Sequence, residues 1–208
     1  DKYPITYRSL TGKQDVVLYG SRTVPTTKIS KIIDESVRKR IAPELVDKLL
    51  EIDLSDMNLK HIARFPDVFN DNGNIITLFA NNKRLPISRY PNQGYMEIKH
   101  VLINGGGEED GANWRDFYDN KEPVRRAPRQ GIFQYRDPRH SLWVDAARRG
   151  EVWLKGYWRV PWQNEAIRVD KIDTTLQMVV FSRPIPGGIG NKYMRPQGSG
   201  KEKYWLLN

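Results

Sequence analysis

Cysteine is absent from the 208-residue chain. Its absence excludes disulfides, thiolate nucleophiles and cysteine-ligated metals, and leaves the compartment open. Histidine is scarce. His61, His100 and His140 are the three present, too scattered to argue a triad or a metal site, and each reads as solvated or locally bonded. No apolar run approaches the roughly 20 residues of a membrane helix, so no membrane span is expected. There is no zinc-finger spacing, no RNP1-like string and no Gly-Lys-Ser/Thr phosphate loop. Nothing therefore points to nucleic acid except charge. The first residue is Asp1, with no initiator methionine and no charged-then-apolar leader, which reads as a mature product or an excised piece.

What is present is a soluble, globular composition, 38% hydrophobic and 28% charged. A chain of this size buries about 70% of its unfolded surface and needs no covalent staples. The net charge is +9. A basic balance favours anionic partners such as acidic polysaccharide, nucleic acid or a membrane surface. Arg125, Arg126, Arg129, Arg136, Arg139, Arg148 and Arg149 supply much of the excess. A solvated basic surface is the plainer account of them.

The pattern along the chain is mainly β. Residues 4–19 suggest two short strands around Thr11-Gly12-Lys13. Residues 27–50 carry the helical signal. Ile29, Ile32, Ile33 and Val37 fall at helical spacing behind Thr27 as N-cap, and Pro43 suits the first turn of a second helix. Leu50–Leu54 reads as a strand. Strands follow at Ile75–Ala80 and Lys83–Arg89, with Asn81-Asn82 as a hairpin turn. A longer strand spans Tyr95–Asn104, with Met96, Ile98 and His100 facing opposite to Tyr95, Glu97 and Lys99. The loop 105–128 is long, with an acidic start and with Asp116, Asp119 and Glu122 further on; it lacks EF-hand spacing. Gly131–Arg136 is a strand and Pro138–Arg149 a short helix. Ile167–Ile172 and Met178–Ser182 form a hairpin across Asp173–Gln177, and Lys203–Leu207 is a final strand.

The densest aromatic segment is Glu151–Trp162, which places Trp153, Tyr157, Trp158 and Trp162 around Gly156. On a strand, Trp153, Lys155 and Tyr157 share one face, and Leu154, Gly156 and Trp158 share the other. Aromatic rows fill cores, and flat aromatic surfaces also stack against sugar rings. Trp153 and Tyr157 are expected in the core. Any sugar platform is expected at the far end, Trp158 to Trp162, with Trp114 as an exposed aromatic in the polar loop.

Several of these segments, in this order, resemble one known arrangement. Pro4–Gly12 followed by Val17-Leu18-Tyr19-Gly20 resembles an early coil of bacterial right-handed parallel β-helix proteins. Phe79–Gly94, then Val152–Trp162, Val169–Asp173 and Tyr204–Asn208, resemble the phrases of a domain inserted after that coil. The family is the glycoside hydrolase family 141-like group. Asn82 stands where the phrase has glycine, Ser88 replaces an alanine, and the loop 105–128 is longer than the pattern.

The resemblance implies a β-sandwich or barrel-like insertion domain with a short helical segment, flanked by the first strands of a parallel β-helix. It divides the chain into residues 1–24, the first β-helix coil strands, and 25–208, an all-β insertion with helices near 28–50 and 138–149. In that family the catalytic carboxylates belong to the β-helix, which would resume at Asn208. The fragment is then an accessory, non-catalytic domain of an exported, periplasmic or extracellular, polysaccharide-degrading enzyme. Its partners would be a polysaccharide or oligosaccharide, acidic sugars included, and the remainder of the β-helix. The glycan-contact candidates are Trp114, Trp158, Trp162 and Arg159, with arginines meeting carboxylated or sulfated sugars. No catalytic residue, metal or cofactor is assigned.

Two alternatives stand beside it. A self-contained glycoside hydrolase or lyase would need a pair of carboxylates about 5–9.5 Å apart. Asp137, Asp145, Glu151, Glu165, Asp170 and Asp173 are available, but no spacing singles out a pair, and Asp173 reads more simply as a turn residue. A module binding an anionic polymer, nucleic acid or acidic glycan, is motivated by charge alone.

Overall fold

A computed structural model describes residues 6–7, 9–10, 12, 20–59, 77–105, 129–162, 164–185, 188–190 and 203–207. The chain divides into two compact units, residues 1–60 and 61–208. The expected boundary at residue 24 falls inside the first unit. Most of the expected β-helix strands at residues 4–19 lie outside the described residues, as do His61, Trp114 and the loop carboxylates Asp116, Asp119 and Glu122.

In the first unit, β1 (Ile29–Lys31) precedes α1 (Glu35–Arg38), α2 (Pro43–Val46) and β2 (Leu50–Ile52). β1 and β2 form a two-stranded antiparallel ribbon with Ser30 opposite Glu51. The helix expected to start at Thr27 is corrected here. The chain from Thr26 to Ile33 is rich in β-branched residues, which lose χ1 freedom in a helix and suit a strand, and Ile33 is exposed rather than on a packed helix face. Asp34 is the actual N-cap. Its carboxylate accepts from the Ser36 backbone N–H at 2.7 Å, and hydrogen bonds with Ser36 hold its pKa below the usual carboxylate range. Pro43 opens α2 as expected.

The second unit begins with a small hairpin of β3 (Phe79–Ala80) and β4 (Lys83–Arg84). Asn81 and Asn82 have φ of 50° and 60°, the left-handed pair that a two-residue type I′ turn requires. Then come β5 (Arg89–Tyr90), β6 (Met96–Ile103), β7 (Ile132–Tyr135), a 3₁₀ helix at Pro138–Trp143 running into α3 (Val144–Arg148), β8 (Trp153–Gly156), β9 (Glu165–Asp173), β10 (Met178–Phe181) and β11 (Lys203–Leu207).

These strands close into a barrel. The ring runs β6–β7–β10–β9–β8–β11 and returns to β6, every pairing antiparallel, with β5 also paired to β11. Six strands close because the final strand, β11, bonds β8 on one side and β5 and β6 on the other. Register shifts in the β6–β7 and β9–β10 pairs add the local bend that closure needs. Closure removes open sheet edges from the ring.

Inside sit Phe133, Tyr135, Leu154, Trp158, Ile167, Val169, Val179, Phe181, Tyr204 and Leu206. The aromatic members meet edge-on or tilted, Phe133 lying 5.2 Å from Tyr204 and 5.6 Å from Phe181. The helical segment 138–148 brings His140, Trp143 and Ala147 against the same core. His140 is fully buried. Its ring stacks on Tyr135 at 4.1 Å.

The aromatic segment obeys the alternation read from the sequence, but the roles of its two rows are corrected. Val152, Leu154, Gly156, Trp158 and Val160 are buried, while Trp153, Lys155 and Tyr157 are half-buried on the other face. The strand itself stops at Gly156. Trp158 is a core residue, 3% exposed, and its indole N–H donates to the Glu165 carbonyl at 2.8 Å. Gly156 makes room for it. A Cβ there would lie 2.7 Å from the Tyr204 Cβ and 2.8 Å from the Trp158 ring.

Candidate functional site: an aromatic and basic outer face

β8 and β11 lie side by side with Trp205 opposite Lys155 and Leu207 opposite Trp153. Alternation sends Tyr204 and Leu206 into the barrel and Trp205 and Leu207 outward. The outward residues form a second, smaller apolar cluster. Ala166, Trp205 and Leu207 are buried there, with Trp153 and Tyr157 packed against them. Tyr95, just ahead of β6, completes the group. Its ring centre is 5.5 Å from Trp205 and 6.0 Å from Tyr157. Trp205 forms the floor at 9% exposure, while Tyr95 stands out at 43%.

Cations flank these rings. The Arg89 guanidinium carbon lies 4.8 Å from the Trp205 ring centre and 5.5 Å from that of Tyr95. Lys155 Nζ is 5.9 Å from Trp205 and Lys203 Nζ is 5.7 Å from Tyr95. Each separation is within reach of a cation–π attraction. Arg89 is also fixed in place. Its Nε donates to the Pro91 carbonyl at 2.9 Å and its Nη2 to the Gly94 carbonyl. Burial pushes the Lys155 pKa down, because part of its ammonium is removed from water.

Among the described residues no carboxylate forms an ion pair with Arg89, Lys155 or Lys203. Glu97 stands opposite Lys203 in the β6–β11 register without closing one. The outer face is thus an aromatic floor with several cations that form no ion pair with an acid among the described residues. Such a surface can stack against a ring and attract an anion, but it holds no acid–base pair.

The sequence-derived candidates fall in different places. Trp158 is inside the barrel and cannot meet a ligand. Trp162 is 67% exposed in the turn after β8. Arg159 is half-buried, beyond the end of β8. Trp114 lies outside the described residues. Trp158 and Trp162 therefore do not form one platform. Tyr95, Trp205, Arg89 and Lys203 were missed, because they come from three separate strand regions. The available signal was the parity that puts Lys155 between Trp153 and Tyr157.

Five of the six carboxylates considered for hydrolysis have structural partners, and Asp170 is exposed on β9. Asp137 accepts from the Tyr90 hydroxyl at 2.9 Å and from the Arg139 backbone N–H. Asp145 pairs with Arg148, Glu151 with Arg149, and buried Glu165 with Arg183 at 3.1 Å. Asp173 caps the β9–β10 turn, accepting from the Thr175 and Leu176 N–H groups, and those bonds lower its pKa. No group of three or more metal-ligating side chains occurs among the described residues, and none of their helices is long and apolar enough to cross a membrane. No family model, curated protein or solved structure matches the chain.

Proposed function

We propose that the barrel is a non-catalytic glycan-binding module of an exported polysaccharide-degrading enzyme, borne on a right-handed β-helix that supplies the catalytic carboxylates. The observation that carries the reading is the outer face of β8 and β11, where Tyr95, Tyr157 and Trp205 adjoin Arg89, Lys155 and Lys203. Protein surfaces of this kind bind sugars by packing aromatic rings against the C–H faces of pyranoses. The structural partners of five of the six candidate carboxylates weigh against a self-contained hydrolase. The role in the parent enzyme is to hold substrate beside the cleft.

The test is direct titration of the chain with soluble polyuronate, sulfated glycan and neutral xylan. Binding to at least one is expected. Tyr95→Ala should weaken it about tenfold, the scale of one lost stacking contact, and Trp162→Ala should leave it unchanged. If none of the three glycans binds, the proposal is wrong.

A further inference from the structure

We propose that this face selects a carboxylate-bearing pyranose chain, a polyuronate, whose carboxylates meet Arg89 and Lys155 beside the Trp205 ring. The inference rests on the glycan-binding reading and adds the charge of the ligand.

Three observations carry it. First, Arg89, Lys155 and Lys203 form no ion pair with an acid among the described residues. Of the outward acids on the paired strands, Glu97 lies opposite Lys203, and Asp170 is two residues beyond Arg168. Neither pairs with Arg89, Lys155 or Lys203 among the described residues. A half-buried ammonium without an anion is costly, and a ligand carboxylate would relieve that cost. Lys155 is in that position, set between Ala166 and Trp205 across two strand pairs.

Second, Arg89 is held before any ligand arrives. Its bonds to the Pro91 and Gly94 carbonyls and its place over Trp205 fix the guanidinium. Its Nη1 donors have no acceptor among the described residues. A preorganised guanidinium loses little freedom on binding and suits a planar carboxylate.

Third, the rings favour a sugar over a nucleic acid. Tyr95, Tyr157 and Trp205 meet at 55–74°. Successive bases stack on aromatic plates laid along a backbone groove, and rings set at these angles offer no row of parallel plates, whereas one exposed ring such as Tyr95 is enough to pack against a pyranose.

The experiment titrates the full chain with an oligogalacturonate, a neutral xylo-oligosaccharide, a sulfated oligosaccharide and a single-stranded oligonucleotide. It uses wild type and Lys155→Met, a substitution that retains the aliphatic stem. Circular dichroism confirms that the variant keeps its β signature. The oligogalacturonate should bind at least about tenfold more tightly than the xylo-oligosaccharide, and Lys155→Met should remove most of that preference, the two affinities drawing together. Equal affinity for the two, unaltered in the variant, overturns the inference and leaves glycan binding standing. A sulfated chain bound more tightly than the uronate overturns the carboxylate assignment. Preference for the oligonucleotide, or binding of no glycan, overturns the underlying reading as well.

Discussion

The Tyr204 hydroxyl and His140 Nε2 are 3.0 Å apart in the barrel core, joining residues 64 positions apart. The other ring nitrogen, Nδ1, lies 2.7 Å from the Asp137 carbonyl. A carbonyl only accepts, so Nδ1 carries the proton and Nε2 accepts from Tyr204. The pair locks the last strand to the 3₁₀ helix and leaves neither polar group unsatisfied. Burial in the core keeps His140 neutral at pH 7.

That neutrality gives the fold an acid sensitivity. Burial pushes the His140 pKa down to about 4, against 6.5 for an unhindered imidazole. Above pH 6.5 both folded and unfolded chains carry it neutral, and it adds no pH dependence. As pH falls from 6.5 to 4 the unfolded chain takes up the proton first, so stability is lost across that window. The loss should approach about 3 kcal/mol. Urea midpoints measured between pH 7 and pH 4 should fall accordingly. His140→Phe should flatten that part of the profile, while costing about 1–3 kcal/mol at pH 7 because the Tyr204 hydroxyl loses its acceptor.

Gly156→Ala tests the packing of the aromatic segment. The added methyl meets the Tyr204 Cβ at 2.7 Å as well as the Trp158 ring. The first is attached directly to the backbone of β11 and cannot swing aside. A loss of about 1–3 kcal/mol is expected from overpacking, read as a lower urea midpoint with an unchanged slope. Wild-type stability in this variant would mean that β8 and β11 are not so closely opposed.

Trp158 and Trp162 should part company. Trp158→Ala empties the centre of the core and should cost about 3–5 kcal/mol. Trp162→Ala, at an exposed turn, should stay within about 0.5 kcal/mol of wild type. Thermal unfolding of the two variants separates them at once. Similar losses would contradict the assignment of opposite environments.

Much of the second unit was legible because its strands are bounded by strong turn chemistry. Asn81-Asn82, Asp173–Gln177 and the alternation on either side of Gly156 announce their elements locally. The isoleucines after Thr27 suit a helix and a strand alike, and the partner that decides between them, β2, lies some twenty residues on. Which row of the aromatic segment turns inward was not legible either. Parity gives two faces but does not say which is the core, and the answer depends on Tyr204 packing over Gly156 from the far end of the chain. For the same reason Trp205, the floor of the outer face, carried no local signal. Its meaning comes from pairing with β8.

Glycan is proposed to bind on the outer face of β8 and β11. The most direct measurement is a proton–nitrogen correlation spectrum of the full chain, following the indole signals of its six tryptophans during titration with an oligogalacturonate. The Trp205 and Trp153 indoles and the Lys155 amide should shift progressively with ligand, and the Trp162 indole should stay in place. Shifts centred on Trp162, or no movement at Trp205 at saturating ligand, would contradict it.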